Sequence, residues 1–254
     1  MNAGLYFASD HIDEHSLRDR TVVVIDVLRA GSTIPTALAN GAKEIIPVHT
    51  VERAVKLSGS LFGDHILRGG ERLGKTIEGF DLGNSPSEYT SERVQGKAII
   101  YSTTNGSRAI EKARYAKSVV IGGFVNLSSM LGFLQEWAGD FVILCSGNSG
   151  KFSMEDSVCG GMLLNELGKQ NGDLVLTDAA LAARALYKDF GRSIPKMVRT
   201  SEHGTYLSSI GFADDLKYCA TVDHLKILPQ LVGNVVKIKP NGEMTPESEK
   251  IVGT

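Results

Sequence analysis

Short apolar runs alternate with polar, glycine-rich turns through the first two thirds of the chain, and stretches with helical spacing lie between them. Runs that are apolar on both faces and rich in β-branched residues read as buried strands. This pattern predicts strands over 4–8, 21–28, 44–48, 65–67, 97–101, 118–121 and 141–145. The polar stretch 11–20 reads as a loop or short helix. A helix is expected from Ser32 or Thr33 to Ala39, tolerating Pro35 in its first turn and stopped by Asn40-Gly41. A second follows a Thr50 cap over 51–57, with Val51, Ala54, Val55 and Ser58 facing inward. Further helices are expected over 108–115, 127–137 and 153–167. The last third is more helical, with candidates at 177–190, 201–210 and 214–220, a closing strand at 235–238 and a polar tail at 240–254.

Strands alternating with helices argue for an α/β protein with a mainly parallel sheet covered on both faces. One domain over 1–254 is expected; a weak subdivision near 172 has no linker composition behind it. The stretch 69–86 breaks the pattern. It has no periodicity, is rich in Gly and charge, and reads as a long functional loop.

With 254 residues, 42% of them hydrophobic, the chain can bury a sizeable core. A net charge of −2 gives no reason to expect a nucleic-acid or membrane-surface partner. No apolar run approaches the ~18 residues of a membrane span, and the N-terminus lacks the pattern of a signal peptide. Cys145, Cys159 and Cys219 lack metal-type spacing and read as buried thiols of a cytoplasmic protein.

Candidate chemistry starts at Asp26, a carboxylate near the carboxyl end of the most uniformly apolar strand. A charge there is costly unless it is paired, hydrogen-bonded or metal-bound, and ligands of open α/β sheets bind at that edge. Asp26 is therefore either a structural partner of Arg29 or a functional group. Three turns follow predicted strands: 29–33, 103–107 and 146–150. Each offers backbone N–H groups, hydroxyls and a helix N-terminus, a combination that binds anions, phosphate above all. The Gly69–Thr76 spacing imitates a nucleotide phosphate loop. However, Glu71 puts a carboxylate where phosphate would lie and no amphipathic helix follows Thr76, so we do not expect ATP there. Asp26, Glu71, Asp81, Glu155 and Asp156 fall at or near loop edges. Mg²⁺ is held by one or two carboxylates together with water and substrate phosphate oxygens. Glu155 and Asp156 also fit a capping box opened by Ser153, and Glu78 reads as an exposed loop charge. His65, His203 and His224 are isolated, which argues against zinc.

Four blocks together resemble the 2-phosphosulfolactate phosphatases: Asp26-Val27-Leu28-Arg29-Ala30 with Ser32-Thr33-Ile34, Glu78-Gly79-Phe80-Asp81-Leu82-Gly83-Asn84-Ser85-Pro86, Thr103-Thr104-Asn105-Gly106-Ser107, and Phe152-Ser153-Met154-Glu155-Asp156 through Cys159-Gly160-Gly161. The resemblance runs over most of the chain and reaches Asp214-Asp215-Leu216-Lys217-Tyr218-Cys219-Ala220. It implies a three-layer α/β/α fold with a mixed, mainly parallel sheet. The implied activity is Mg²⁺-dependent removal of phosphate from (2R)-phospho-3-sulfolactate, a step toward coenzyme M. It also implies Thr at position 31, where this chain has Gly.

On that resemblance, Asp26 is either a nucleophile giving an aspartyl-phosphate or the main Mg²⁺ ligand positioning water. Asp156 is a second catalytic candidate, and Glu71, Asp81 and Glu155 are further metal candidates. Arg29, Ser32, Thr33, Asn84, Ser85, Thr103, Thr104, Asn105 and Gly106 are substrate-binding candidates, and Arg72 is a candidate for the sulfonate or carboxylate. The implied partner is a small anionic phosphorylated substrate, with self-association left open. Two alternatives stand at this stage: a phosphatase for another 2-phosphohydroxy acid, and a non-catalytic anion-binding protein.

Overall fold

The computed structural model describes residues 1–10, 12–60, 65–170 and 174–238. The chain begins with β1 (Asn2–Tyr6), β2 (Thr21–Ile25), α1 (Ala30–Ala39), β3 (Glu44–Pro47), α2 (Val51–Ser60), β4 (Ile66–Arg72) and β5 (Lys75–Thr76). It continues through α3 (Ser91–Val94), β6 (Ala98–Ser102), α4 (Gly106–Lys112), β7 (Ser118–Gly122), α5 (Leu127–Trp137) and β8 (Phe141–Cys145). The remainder is α6 (Met154–Gln170), β9 (Val175–Leu176), α7 (Asp178–Phe190), α8 (Ile194–Thr200), α9 (Glu202–Ser209), α10 (Ala213–Cys219), β10 (Pro229–Val232) and β11 (Val235–Ile238).

These strands form one sheet in the order β5-β4-β6-β3-β11-β10-β7-β2-β8-β1-β9. β2 runs parallel to both β7 and β8, and β6 parallel to both β3 and β4. The sheet is mixed because the β10–β11 hairpin stands antiparallel between β7 and β3, and because β5 turns back on β4.

β2 shows why the chain forms three layers. All five of its residues are buried. Successive strand side chains point to opposite faces. Val22 and Val24 accordingly pack in one core with Ile34 and Ala37 of α1 and Ala109 of α4. Val23 and Ile25 pack in the other with Leu134 of α5, Leu163 of α6 and Ala183 of α7. A strand covered on both faces must be apolar throughout, and each of its aliphatic side chains contributes roughly 1.5–3 kcal/mol by leaving water. This is the α/β/α architecture expected from the sequence.

Three expectations change. The stretch 69–86 is not wholly irregular. β4 continues through Gly69 and Gly70, which pair with Tyr101 and Ser102 of β6, and then folds into the β4–β5 hairpin. The two glycines hide a strand from a search for apolar alternation. Val55 is half exposed, whereas Ala54 is fully buried. α2 packs mainly on β6 and β4 through a narrow stripe, and the next residue along a helix is carried about 100° away from it. Finally, α8, β9 and β10 are short and lacked a periodic signal. Position 172 and the tail 240–254 lie outside the described residues. Among the described residues, no helix is long and apolar enough to cross a membrane.

Candidate active site

A cavity of about 310 Å³ opens at the carboxyl edge of the sheet. Its wall is assembled from remote segments: Asp26 and Arg29 after β2, Glu71 and Gly74 of the hairpin, Asn84, Thr103 to Gly106 after β6, Asn148 and Ser149 after β8, and Glu202, His203 and Tyr206 of α9. This is the edge at which open α/β sheets bind ligands.

Asp26 lies at its base, 4% exposed. Its Oδ1 accepts a hydrogen bond from the Ala30 amide at 3.1 Å. Burial pushes its carboxyl up from 3.8 to about 7; the Ser146 hydroxyl and the Ala30 amide oppose this, and the charges of Glu71 and Glu155 add to it. Two glycines make room for it. A Cβ on Gly106 would lie 2.5 Å from Asp26 Oδ2 and 2.4 Å from the Ala30 Cβ. A Cβ on Gly31 would lie 2.2 Å from the Gly122 carbonyl oxygen, so this backbone has no space for the Thr that the resemblance implied there. The adjoining Leu28–Arg29 peptide is cis.

The turns were expected to present free amides to an anion. Three of these amides, those of Ala30, Thr104 and Gly147, already hold the protein's own carboxylates. Glu71 accepts from the Thr104 amide at 2.7 Å and the Gly74 amide at 2.8 Å, and from the Thr104 hydroxyl at 3.2 Å. Asp156 accepts from the Val27 amide at 2.8 Å, the Gly147 amide at 3.2 Å and the Ser146 hydroxyl at 3.0 Å. The reason is physical: a carboxylate buried at a helix end is tolerable only when donors surround it. Among the described residues, the amides of Asn105 and Gly106 at the start of α4 have no protein acceptor.

The candidates therefore separate. Asp26, Arg29, Glu71, Asn84, Thr103, Thr104, Asn105 and Gly106 line the cavity. Asn84 accepts from the Tyr101 hydroxyl, so its side-chain NH₂ is the end left to donate. Thr103 is drawn into a hydroxyl-closed turn with Ser107. Asp156 does not line the cavity; it sits behind Asp26, and burial followed by the Asp26 charge raises its carboxyl well above the usual range. Glu155 is 3% exposed and lines an adjoining cavity with His203. Among the described residues, no protein group donates to its carboxylate.

Other candidates face elsewhere. Asp81 is exposed and holds the Arg68 amide at 2.8 Å and the Arg68 guanidinium at 3.5 Å. Arg72 lies on the far side of the Thr103–Thr104 turn, donating to the carbonyls of Glu71, Ser102 and His49. Ser32, Thr33 and Ser85 donate to the Val27 carbonyl, the Asn84 carbonyl and the Asp215 carboxylate. They hold the turns in place and do not form the wall.

Sequence reasoning missed Glu202, His203 and Tyr206 of α9, and Asp215 of α10. His203 was set aside as isolated, yet α9 carries it into the wall. Burial pulls its ring below the ordinary His range, while Glu155 and Glu71 push the other way. Asp215 lay within the resembling block 214–220, but nothing local showed that its partner is Arg29.

Charge defines what the cavity takes. Asp26, Glu71 and Glu202 line it, Glu155 stands close by, and the one cation in its described wall, Arg29, is already paired with Asp215. Among the described residues, no group of three or more His, Cys, Asp or Glu side chains forms a ready metal cage.

The fold and this carboxylate-floored cavity define the class of an α/β enzyme with its site at the carboxyl edge of the sheet. The family is narrower. The model of the family described as 2-phosphosulpholactate phosphatase matches residues 6–234. The chain belongs to this family of phosphoric monoester hydrolases. It is 41% identical over 232 residues to a probable 2-phosphosulfolactate phosphatase of Caldanaerobacter subterraneus subsp. tengcongensis, covering 91% of this chain and 96% of the relative. A protein of the same description from Clostridium acetobutylicum is 41% identical over 230 residues, covering 91% and 97%. One from Clostridium perfringens is 37% identical over 244 residues, covering 95% and 98%.

Proposed function

We propose that this chain is a Mg²⁺-dependent phosphatase that hydrolyses (2R)-phospho-3-sulfolactate to sulfolactate and phosphate. The observation that carries the metal requirement is the unbalanced charge of the cavity. Asp26, Glu71, Glu202 and the nearby Glu155 outnumber Arg29, whose charge Asp215 already offsets. A phosphate ester enters such a site only with a cation. The donor set suits Mg²⁺, which takes one or two carboxylates and leaves its other positions to water and phosphate. Asp26 and Glu155 would hold it, since Glu71 and Asp156 have both oxygens engaged by protein donors. Bound there, the ion would neutralise charge on the transferring phosphoryl group.

The chain's own groups do the rest. The amides of Asn105 and Gly106 and the Asn84 side-chain amide bind phosphoryl and carboxylate oxygens. Asp26 attacks phosphorus or takes a proton from the attacking water. The bond between phosphorus and the C2 oxygen breaks, and the leaving oxygen departs with a proton as the hydroxy acid. The relatives' printed names support the substrate. The reading includes a cytoplasmic setting, in keeping with three buried free thiols, and a place on the route to coenzyme M.

The test is phosphate release from phosphosulfolactate with and without Mg²⁺, on wild type and Asp26→Asn. A folded mutant should lose at least about 100-fold in rate; near-normal turnover would remove Asp26 from the mechanism. Borohydride trapping during turnover separates the two roles, because only the nucleophile route forms an aspartyl-phosphate at Asp26, which borohydride reduces to homoserine. A ligand-induced rise in melting temperature with no turnover of any phosphate ester would favour the anion-binding alternative.

A further inference from the structure

A second cavity of about 290 Å³ adjoins the first and shares Asn148, Glu202 and His203 with it. The shared residues are polar. The second cavity alone adds Phe152, Met154, Phe190 and Met197. Phe152 is 46% exposed and Phe190 is 40% exposed. Two partly exposed aromatic rings thus share one concave wall, with Phe152 braced on the Phe7 ring at 5.4 Å between centroids. In the first cavity Arg29 is committed to Asp215 and the Gly74 carbonyl, and the ionisable side chains of the second are Glu155, Glu202 and His203.

We infer that this second cavity is a substrate subsite for an uncharged, apolar group, so that the enzyme also hydrolyses 2-phosphohydroxy acids carrying an alkyl or aryl substituent at C3. The inference rests on the phosphatase reading of the first cavity. The phosphate and carboxylate lie in the first cavity, and the substituent passes the Asn148–His203 boundary onto the Phe152, Phe190 and Met197 side chains. Transfer of an aryl ring from water to such a wall favours binding. The reaction is unchanged: water supplies the oxygen to phosphorus, the phosphorus bond to the C2 oxygen breaks, and that oxygen leaves protonated.

The experiment compares three esters with Mg²⁺: 2-phospholactate, phosphosulfolactate and 2-phospho-3-phenyllactate. The phenyl ester should exceed 2-phospholactate by about tenfold or more in kcat/KM, mainly through KM. Phe190→Ser should reduce that ratio about tenfold, and Phe152→Ser, read independently, should reduce it in the same direction. A phenyl ester no better than 2-phospholactate, or a ratio unmoved in both folded variants, overturns the subsite while leaving the phosphatase reading intact. Failure of all three esters to turn over overturns both.

Discussion

The Arg29 guanidinium lies 2.7 Å from the Asp215 carboxylate, and both side chains are withdrawn from solvent. Asp215 also accepts from the Ser85 hydroxyl at 2.6 Å. Arg29 donates to the Gly74 carbonyl at 2.6 Å and lies over the Phe212 ring at 4.2 Å. This pair joins the start of α1, the hairpin tip and α10 on one side of the cavity. Removing one partner of such a pair leaves an uncompensated buried charge. Asp215→Ala is expected to lose roughly 3–5 kcal/mol of stability, measured by denaturant unfolding. A loss below about 1 kcal/mol would show that the charge finds water or another partner.

Asp26 should make the metal-free protein less stable as pH rises. Its folded carboxyl is raised from 3.8 to about 7, so the proton is held more tightly in the folded state. The stability this contributes is fully present below about pH 4 and is lost as pH rises to about 7. Asp26→Asn escapes that loss. The mutant's melting temperature should therefore gain on wild type between pH 4 and 7 and hold its advantage above. Parallel pH curves for the two proteins would contradict the buried, unbalanced carboxylate.

Mg²⁺ should relieve the same strain. Wild type is expected to melt higher with the ion, by an amount that grows with concentration and reaches about 2.7 kcal/mol at 100 times Kd. Asp26→Asn should lose most of that shift. EDTA should abolish phosphate release, and added Mg²⁺ should restore it. An unchanged melting temperature over a broad Mg²⁺ titration would sink the metal assignment.

Glu155 and Asp81 give opposite outcomes. Glu155→Gln removes an unpartnered buried carboxylate beside Asp26 and should cut activity at least about tenfold, with a raised Mg²⁺ requirement. Asp81→Asn changes an exposed group already held by Arg68 and should leave turnover within about twofold. Equal losses in both variants would mean the cavity is not where the metal binds.

Gly106→Ala should damage the site directly. The added Cβ would stand 2.5 Å from Asp26 Oδ2 and 2.4 Å from the Ala30 Cβ, so α4 or the Asp26 turn must move. Overpacking of this kind costs about 1–3 kcal/mol, and the displaced carboxylate should lower kcat more than it raises KM. Full activity in a folded mutant would show that the approach of α4 to Asp26 is incidental.

The sheet and its buried strands were legible because their signal is local. Thr21 to Ile25 is apolar or β-branched on both faces, and such a run has no stable place except between two helical layers. The helix Leu127–Trp137 and the strands Phe141–Cys145 and Val235–Ile238 have the bounds their periodicity predicted. β4 was legible only in part, because Gly69 and Gly70 carry no side chain for a pattern to show. The position of Asp26 at a strand end, and the turns after β2, β6 and β8, also followed from the sequence.

Which charges meet was not legible. Arg29 and Asp215 are 186 positions apart, and no local period links them. His203 looked isolated because its neighbours in the cavity come from the turns after β2, β6 and β8 and from the hairpin. Arg72 and Glu71 are adjacent in sequence, yet strand alternation sends one to the cavity and the other behind the Thr103–Thr104 turn. The amides of the turns looked free until the fold brought Glu71 and Asp156 onto them. The sequence determined the layers and the edge where chemistry would sit, because hydrophobic burial follows short periods along the chain. The tertiary structure alone decided which carboxylates keep oxygens free, because hydrogen-bond and charge partners are set by contacts between segments remote in sequence.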